Sequence, residues 1–347
     1  MLTSRISRKV RDLIREYDFL FYITNALFVS YMNRKRRILT FMFYTTNRCN
    51  SHCKTCHIWS SKPKRDLSLE VVKDVLNSKV VSSITNFGLE GGEFILHPQF
   101  REIIRLLSGR NYILLSNGVL DNRLIEIVKQ YNVQHIHLSL DGNKATHKNI
   151  RGIDNYDNVV RIIKELSGRT KISVVFTISP WNSLEDFLHV KDLCEKYNVR
   201  FTYTIYDDFF LFDIKEKIIR ENFLTENNTF GFHDYYLDFY KNWVEGETKL
   251  PCLSIANRIV VFPNGDIPLC SKKNIVLGNL YNNTLDEIWN CDRTKRLQRQ
   301  YRYCNDCWIS FHRAFDLEYI KCLEHVVPKK YVEKIVGCSY QYSSKSL

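Results

Sequence analysis

The chain has 347 residues, 44% hydrophobic and 25% charged, the composition of an ordinary folded protein with room for one large domain and a smaller one. Its formal charge of +12 invites a nucleic-acid or membrane-surface reading, but half of that charge lies in residues 1–37, so nucleic acid is disfavoured as a partner of the main body. No signal-peptide pattern opens the sequence, and eleven cysteines are then expected to bind metal or do redox work in a reducing cytoplasm rather than to form disulfides.

Residues 1–37 form a basic extension around an apolar run at 19–32, which falls short of the roughly 20 residues a membrane-spanning helix needs. The run reads as a helix packed outside the main domain; the alternative is an amphipathic anchor, giving peripheral membrane contact through residues 1–37. From residue 38 the pattern alternates. Apolar runs at 39–44, 83–89, 112–115, 135–140, 172–178 and 200–205 read as strands. Between them, Phe100/Ile103/Ile104/Leu107, Leu124/Ile127/Val128/Tyr131 and Val159/Ile162/Ile163/Leu166 repeat one helical stripe. Such alternation predicts an α/β fold with parallel strands, either an open sheet or a curved partial barrel, and puts the functional face at the strands' C-terminal ends.

Those ends carry the unusual residues. Cys49, Cys53 and Cys56 follow the first strand in a C-x3-C-x2-C spacing. Three thiolates so close in a loop can hold three irons of a 4Fe–4S cube and leave the fourth open to another ligand. The second strand ends in Glu90-Gly91-Gly92-Glu93, where missing side chains let a ligand approach the backbone. The third and fourth end in Ser116-Asn117-Gly118 and Ser139-Leu140-Asp141-Gly142, the latter followed by His147 and Arg151.

This order of strand-end motifs resembles the radical S-adenosylmethionine (SAM) enzymes over residues 38–205. The resemblance implies a partial (β/α)6 TIM-like barrel whose cysteine-bound 4Fe–4S cluster chelates SAM and cleaves it to a 5′-deoxyadenosyl radical. It also implies an external one-electron reductant of the flavodoxin or ferredoxin kind. Gly91, Gly92 and Glu93 would hold the methionine amino group, Asn117 and Ser139 the ribose or methionyl part, and Arg151 the carboxylate. One departure stands out: Thr55 occupies the position before the third cysteine, usually aromatic in the family, so His57 or Trp59 would have to meet adenine.

Residues 206–250 are rich in aromatics and read as a helical linker; His233 and Asp234 are its acid–base candidates. A second set of cysteines follows: Cys252, Cys270 and the pair Cys304/Cys307. Residues 258–262 and 267–269 around Asn264-Gly265 read as a β-hairpin. Four thiolates from a hairpin and a C-x2-C pair suit zinc or a fully ligated 4Fe–4S cluster. The pattern resembles the SPASM/twitch auxiliary domains of radical SAM enzymes, placed here at 251–312 with a small α+β character and a tail at 313–347. The full form has a cysteine six positions after Cys307, where this chain has Arg313, so the shortened form with one auxiliary cluster is implied.

The remaining cysteines, Cys194, Cys291, Cys322 and Cys338, read as core or surface thiols, and the basic run from Arg293 to Arg302 as a solvated helix face. A four-thiolate cluster can take an electron from a substrate radical, and Glu90, Asp141, His147 and Asp266 are candidate proton acceptors. The leading expectation is therefore oxidation of a small hydroxylated metabolite, sugar- or cyclitol-like. Maturation of a ribosomal peptide is second, since no dedicated peptide-recognition segment is recognisable ahead of residue 38. The rival of another class is a non-catalytic zinc or iron–sulfur protein that binds RNA or acts as a scaffold.

Overall fold

In the computed structural model, which describes residues 18–207, 235–337 and 339–341, the periodic stretches become alternating strands and helices. The strands are β1 (Thr40–Tyr44), β2 (Asn86–Glu90), β3 (Asn111–Ser116), β4 (His135–Ser139), β5 (Lys171–Ile178) and β6 (Arg200–Ile205). A seventh, β7 (Arg258–Val261), comes from the second cysteine segment and pairs parallel with β1, giving the order β6-β5-β4-β3-β2-β1-β7. The predicted hairpin is thus half realised. Its turn forms, with Gly265 at φ +83° and the Phe262 N–H donating to the Asp266 carbonyl at 3.0 Å. Its strands pair elsewhere: β8 (Asp266–Pro268) runs antiparallel to β9 (Val276–Asn279). A lone two-stranded ribbon is marginal in water, whereas the free edge of β1 offers β7 a full ladder and cover for Ile259 and Val261.

Helix α1 (Asp18–Arg34) precedes the sheet; α2 (Leu69–Asn77), α3 (Phe100–Leu106) and α4 (Asp121–Tyr131) follow β1, β2 and β3, α5 (Lys144–Arg151) and α6 (Tyr156–Leu166) both follow β4, and α7 (Leu184–Lys196) follows β5. The predicted stripes are what they bury: Ile103, Leu124, Ile127, Val159, Ile162 and Ile163 are all fully enclosed. Ser183 starts α7 with a capping box, its hydroxyl accepting from the Asp186 N–H while the Asp186 carboxylate accepts from the Ser183 N–H.

Successive strand residues face opposite ways. On β1, Phe41 and Phe43 point into the helical layer and stack near Phe87, while Thr40, Met42 and Tyr44 line a central cavity. On β4, Ile136 and Leu138 are buried, and His135, His137 and Ser139 face the cavity. A parallel sheet packed on both faces would be apolar throughout. The polar inner face here belongs to a curled half-barrel around a lumen.

After β6, α8 (Tyr235–Val244) leads towards the second cysteine segment, which adds α9 (Leu285–Asn290), α10 (Asp292–Gln300), α11 (Ser310–Glu324) and α12 (Lys329–Val336). The start of α11 bridges the two edge strands. The Ser310 hydroxyl meets the Thr204 hydroxyl of β6 at 2.7 Å, and Phe311 packs 4.4 Å beneath the Arg258 guanidinium of β7. Helix α1 lies along α11, burying Ala26, Val29 and Met32 and pairing the Ser30 hydroxyl with Tyr319 at 2.8 Å, as the packed reading of that run expects. No helix among the described residues is long and apolar enough to cross a membrane. Residues 1–17, His233, Asp234 and Cys338 lie outside the described residues.

Candidate functional site

A cavity of about 640 Å³ opens at the C-terminal ends of the strands and continues down the lumen. Cys49, Cys53 and Cys56 line it, together with Gly91, Gly92, Glu93, Asn117, Ser139 and Arg151. The nine residues singled out to hold the first cluster and SAM therefore border one space. Burial pushes the free thiols of Cys49 and Cys56 up to about 11 and about 12. A loop that buries thiols in this way needs cationic compensation to hold them as thiolates.

Two side chains point polar hydrogens at the sulfurs. The Asn117 amide lies 3.9 Å from the Cys49 Sγ and also donates to Asn50 Oδ1 at 2.8 Å and the Ser51 hydroxyl at 2.9 Å, tying the end of β3 to the cysteine loop. Arg151 places Nη1 at 3.7 Å from the Cys53 Sγ, with Nε at 2.6 Å from Asp141 Oδ2. Asp141 is fully buried, and its other oxygen accepts from the Thr177 N–H at 2.9 Å. The pairing with Asp141 and Cys53 raises the Arg151 pKa despite burial, so the charge stays fixed beside the sulfurs. Three thiols with one open side, met by N–H donors and a permanent cation, fit an iron–sulfur cluster held by three cysteines.

The glycine turn has a role that its composition alone did not reveal. Its backbone locks against the cysteine loop, with the Gly92 N–H donating to the Thr46 carbonyl at 2.7 Å and the Glu93 N–H to the Arg48 carbonyl at 2.8 Å. A Cβ on Gly91, whose φ is +147°, would lie 2.4 Å from the Thr46 carbonyl oxygen, and one on Gly92 would lie 2.1 Å from that of Arg48. The glycines hold two loops together. Glu93 is 2% exposed and accepts from the Ser116 hydroxyl at 3.0 Å and the Asn117 N–H at 2.8 Å, while burial raises its pKa to about 7. Ser116 and Ser51 are the polar neighbours that the strand-end motifs left unassigned; only their packing identifies them.

Of the four candidate proton acceptors, Glu90 alone lines the cavity, and among the described residues none donates a hydrogen bond to its carboxyl group. Burial lifts its pKa to about 8, and Tyr44, its partner in register on β1, is raised well above the ordinary phenol value by burial and by that carboxylate. Asp141 is taken by Arg151. His147 accepts from the Asp141 N–H at Nδ1 and meets Asn155 Oδ1 at Nε2, a neutral structural imidazole whose pKa burial lowers to about 4. Asp266 is held in the β7–β8 turn by Asn264 and Asn279. Thr55 and Trp59 also line the cavity, whereas His57 is exposed outside it; the Trp59 indole donates to the Cys53 carbonyl at 3.4 Å.

The second cysteine set also converges. Cys252 and Cys307 are each 7% exposed, and Cys270 and Cys304 are partly covered. Burial raises all four thiols, and the charges of Cys270, Cys304 and Cys307 register on one another or on Cys252. Among the described residues no group of three or more His, Cys, Asp or Glu is spaced to grip a single metal ion. Arg313 stands behind this set, 1% exposed, donating to the carbonyls of Cys307, Leu250, Pro251 and Cys304.

The comparisons agree with this geometry. A family model described as the radical SAM superfamily matches residues 43–194, and one described as an iron–sulfur cluster-binding domain (SPASM) matches residues 252–308. The antilisterial bacteriocin subtilosin biosynthesis protein AlbA of Bacillus subtilis (strain 168) is 25% identical over 279 residues, covering 74% of this chain and 60% of that protein. The GTP 3',8-cyclase of Alkaliphilus oremlandii (strain OhILAs) is 26% identical over 169 residues, covering 45% and 53%. The chain thus spans less than two thirds of the length of either of these two curated relatives. Among solved structures, native anSMEcpe with bound AdoMet superposes with a TM-score of 0.57 at 17% identity over 86% of this chain and 99% of that one. Streptococcus suis SuiB bound to precursor peptide SuiA gives 0.57 at 15% identity over 74% and 66%. At these identities the structures speak for the fold. The family models imply a SAM-binding 4Fe–4S cluster, SAM and auxiliary iron–sulfur ligation as the cofactors. Strand-end cysteines, half-barrel and second cysteine set together place this chain in the radical SAM superfamily, with a SPASM-type iron–sulfur domain behind its barrel.

Proposed function

We propose that the chain is a radical SAM enzyme that takes a hydrogen atom from a peptide substrate held in the lumen. Residues 38–205 form the SAM barrel and 251–312 the auxiliary domain. Cys49, Cys53 and Cys56 hold the SAM-binding cluster, and Cys252, Cys270, Cys304 and Cys307 the auxiliary one. When bound, these groups supply the electron that splits the SAM sulfonium and a site that accepts one from the substrate. Glu93 and the Gly91-Gly92 backbone receive the methionine ammonium, Asn117 and Ser139 face the ribose or methionyl part, and Arg151 balances charge beside Cys53 and faces the carboxylate. Glu90 is the proton acceptor in its ionised form, which burial makes a stronger base than an ordinary carboxylate. A flavodoxin- or ferredoxin-like protein is the reductant.

The observation that carries this reading is the convergence of all nine residues proposed for SAM and its cluster on one cavity. The peptide is favoured by the relatives, since SuiB is described with a precursor peptide bound and AlbA as a bacteriocin biosynthesis protein. A second reading, a small hydroxylated metabolite, draws on the polar inner wall of His135, His137, Ser173, Thr202 and Thr204.

The test is anaerobic reconstitution with iron and sulfide, followed by reduction with dithionite in the presence of SAM. Release of 5′-deoxyadenosine that is absent from Cys49→Ala/Cys53→Ala/Cys56→Ala supports the activity. Stimulation by a random peptide pool but not by a panel of sugars and cyclitols supports the peptide; the opposite pattern sinks it in favour of the metabolite.

A further inference from the structure

The lumen continues below the cysteines to the first residues of the strands, and its floor is cationic. Arg258 opens β7 and stands in register with Thr40, which in turn pairs with Asn86; all three line the cavity. Arg200 opens β6, on the opposite edge of the sheet, and lines the same cavity from an exposed position at its lower mouth. The strand-end carboxyls Glu90 and Glu93 lie at the other end. Four residues of parallel strand separate Thr40 from Tyr44, so the two ends stand about 13 Å apart.

Arg258 is unusual among the arginines of the barrel. Its Nε is shut off from solvent with no hydrogen-bond partner, and no carboxylate forms an ion pair with it among the described residues. Phe311 and Phe315 pack against the guanidinium, which lies 4.4 and 5.6 Å from their ring centroids. Asp316 acts on it only at a distance, since that carboxylate already accepts from the N–H groups of Leu253 and Ser254 and pairs with Arg313; Glu318 is exposed. Burial lowers the Arg258 pKa to about 10, which leaves it charged at neutral pH. His135 and His137, lowered to about 4 and about 3, stay neutral and add hydrogen-bonding capacity without charge. A guanidinium held in place by rings, short of partners and facing an open cavity is a poor structural element and a good receptor. Its planar fork matches an oxyanion.

We propose that Arg258, aided by Arg200, is an anion-binding subsite that seats a carboxylate or phosphate group of the substrate at the foot of the barrel, about 13 Å below the strand ends. The substrate is then elongated, with its anionic end anchored and its reacting carbon near the cysteines. This rests on the lumen being the substrate chamber, as the radical SAM reading has it. An acidic side chain or C-terminus of a peptide would bring a carboxylate; a phosphorylated substrate would bring a phosphate.

Reconstituted full-length protein titrated with inorganic phosphate and, separately, with succinate tests the subsite, read by calorimetry and by the rise in Tm. Saturable binding is expected, weakened at least about tenfold in Arg258→Gln and less in Arg200→Gln, with Arg258→Lys in between. Stronger binding of phosphate identifies a phosphoryl anchor, and stronger binding of succinate a carboxylate anchor. No saturable binding of either anion to the wild type, or unchanged binding in Arg258→Gln, overturns the proposal. Should Arg258→Gln fail to fold, unchanged affinity in the exposed variant Arg200→Gln overturns it equally. SAM cleavage by the same wild-type samples separates the two readings. Cleavage without anion binding defeats the subsite alone, and anion binding without cleavage defeats the radical SAM activity alone.

Discussion

The Arg313 guanidinium donates from Nε to the carbonyl of Cys307 at 3.0 Å, from a position where the two-cluster form of the auxiliary domain carries a further cysteine. The same side chain reaches the carbonyls of Leu250, Pro251 and Cys304, Asn305 Oδ1 and the Asp316 carboxylate. One cation thus gathers the segments that present Cys252, Cys304 and Cys307. Where a ligand would continue the chain of clusters, this protein has a buried brace.

The first prediction follows from that brace. Arg313→Met should leave the buried Asp316 carboxylate without its cation and several carbonyls without their donor, at a cost of roughly 3–5 kcal/mol. Iron content after anaerobic reconstitution should fall from about eight to about four per chain, the loss confined to the second site. Iron retained in full, with an unchanged Tm, would show that the cysteines fold without it. One zinc and about four irons in the wild type would instead make the second site structural.

Gly92→Ala should separate the two cysteine sites in the other direction. Its Cβ would press on the Arg48 carbonyl at 2.1 Å, a backbone atom that cannot turn aside. The glycine turn and the cysteine loop must then part, at a cost of at least about 2 kcal/mol. Circular dichroism should still report a folded chain, while iron at the first site and SAM binding are lost and iron at the second site is kept. A variant that binds SAM as the wild type does would refute the role given to this contact.

Glu90 gives a pH-dependent prediction. Its pKa is near 4.5 in the unfolded chain and about 8 in the fold, raised by burial, so the folded state holds the extra proton between those values. Stability from this group is therefore complete below about pH 4.5 and is lost as pH rises towards 8. Glu90→Gln removes the effect. The difference in Tm, variant minus wild type, should grow as pH is raised from 5 to about 8 and then level off. A difference that stays flat over that range would mean that the carboxyl is solvated.

Gly88 and Met42 offer a mild test of the lumen wall. A Cβ on Gly88 would meet the tip of Met42, with Sδ at 2.3 Å, and that flexible side chain can swing into the cavity. Gly88→Ala should fold with a small change in Tm yet weaken occupancy of the chamber by a bound ligand, measured as the SAM dissociation constant. A large loss of stability would show that Met42 has nowhere to go.

Much of the protein was legible in its residues. Helical stripes such as Leu124/Ile127/Val128 and the alternation of strands with helices follow from local periodicity, and they specify a parallel α/β core because only that arrangement buries each stripe. The cysteine spacings likewise stand in the sequence, since ligands a few residues apart in one loop need no long-range contact to meet. Tertiary structure decided the rest, because those features depend on residues distant in the chain. The docking of β7 on β1 is a contest between two possible partners for one edge, which no local pattern settles. The curl of the sheet turned the alternating residues of β4 into a polar lumen wall and brought Arg258 and Arg200 into one cavity from opposite sheet edges. The service of Gly91 and Gly92 to the Thr46–Arg48 backbone, and of Arg313 to four carbonyls, exists only once those groups are packed within hydrogen-bonding or van der Waals reach.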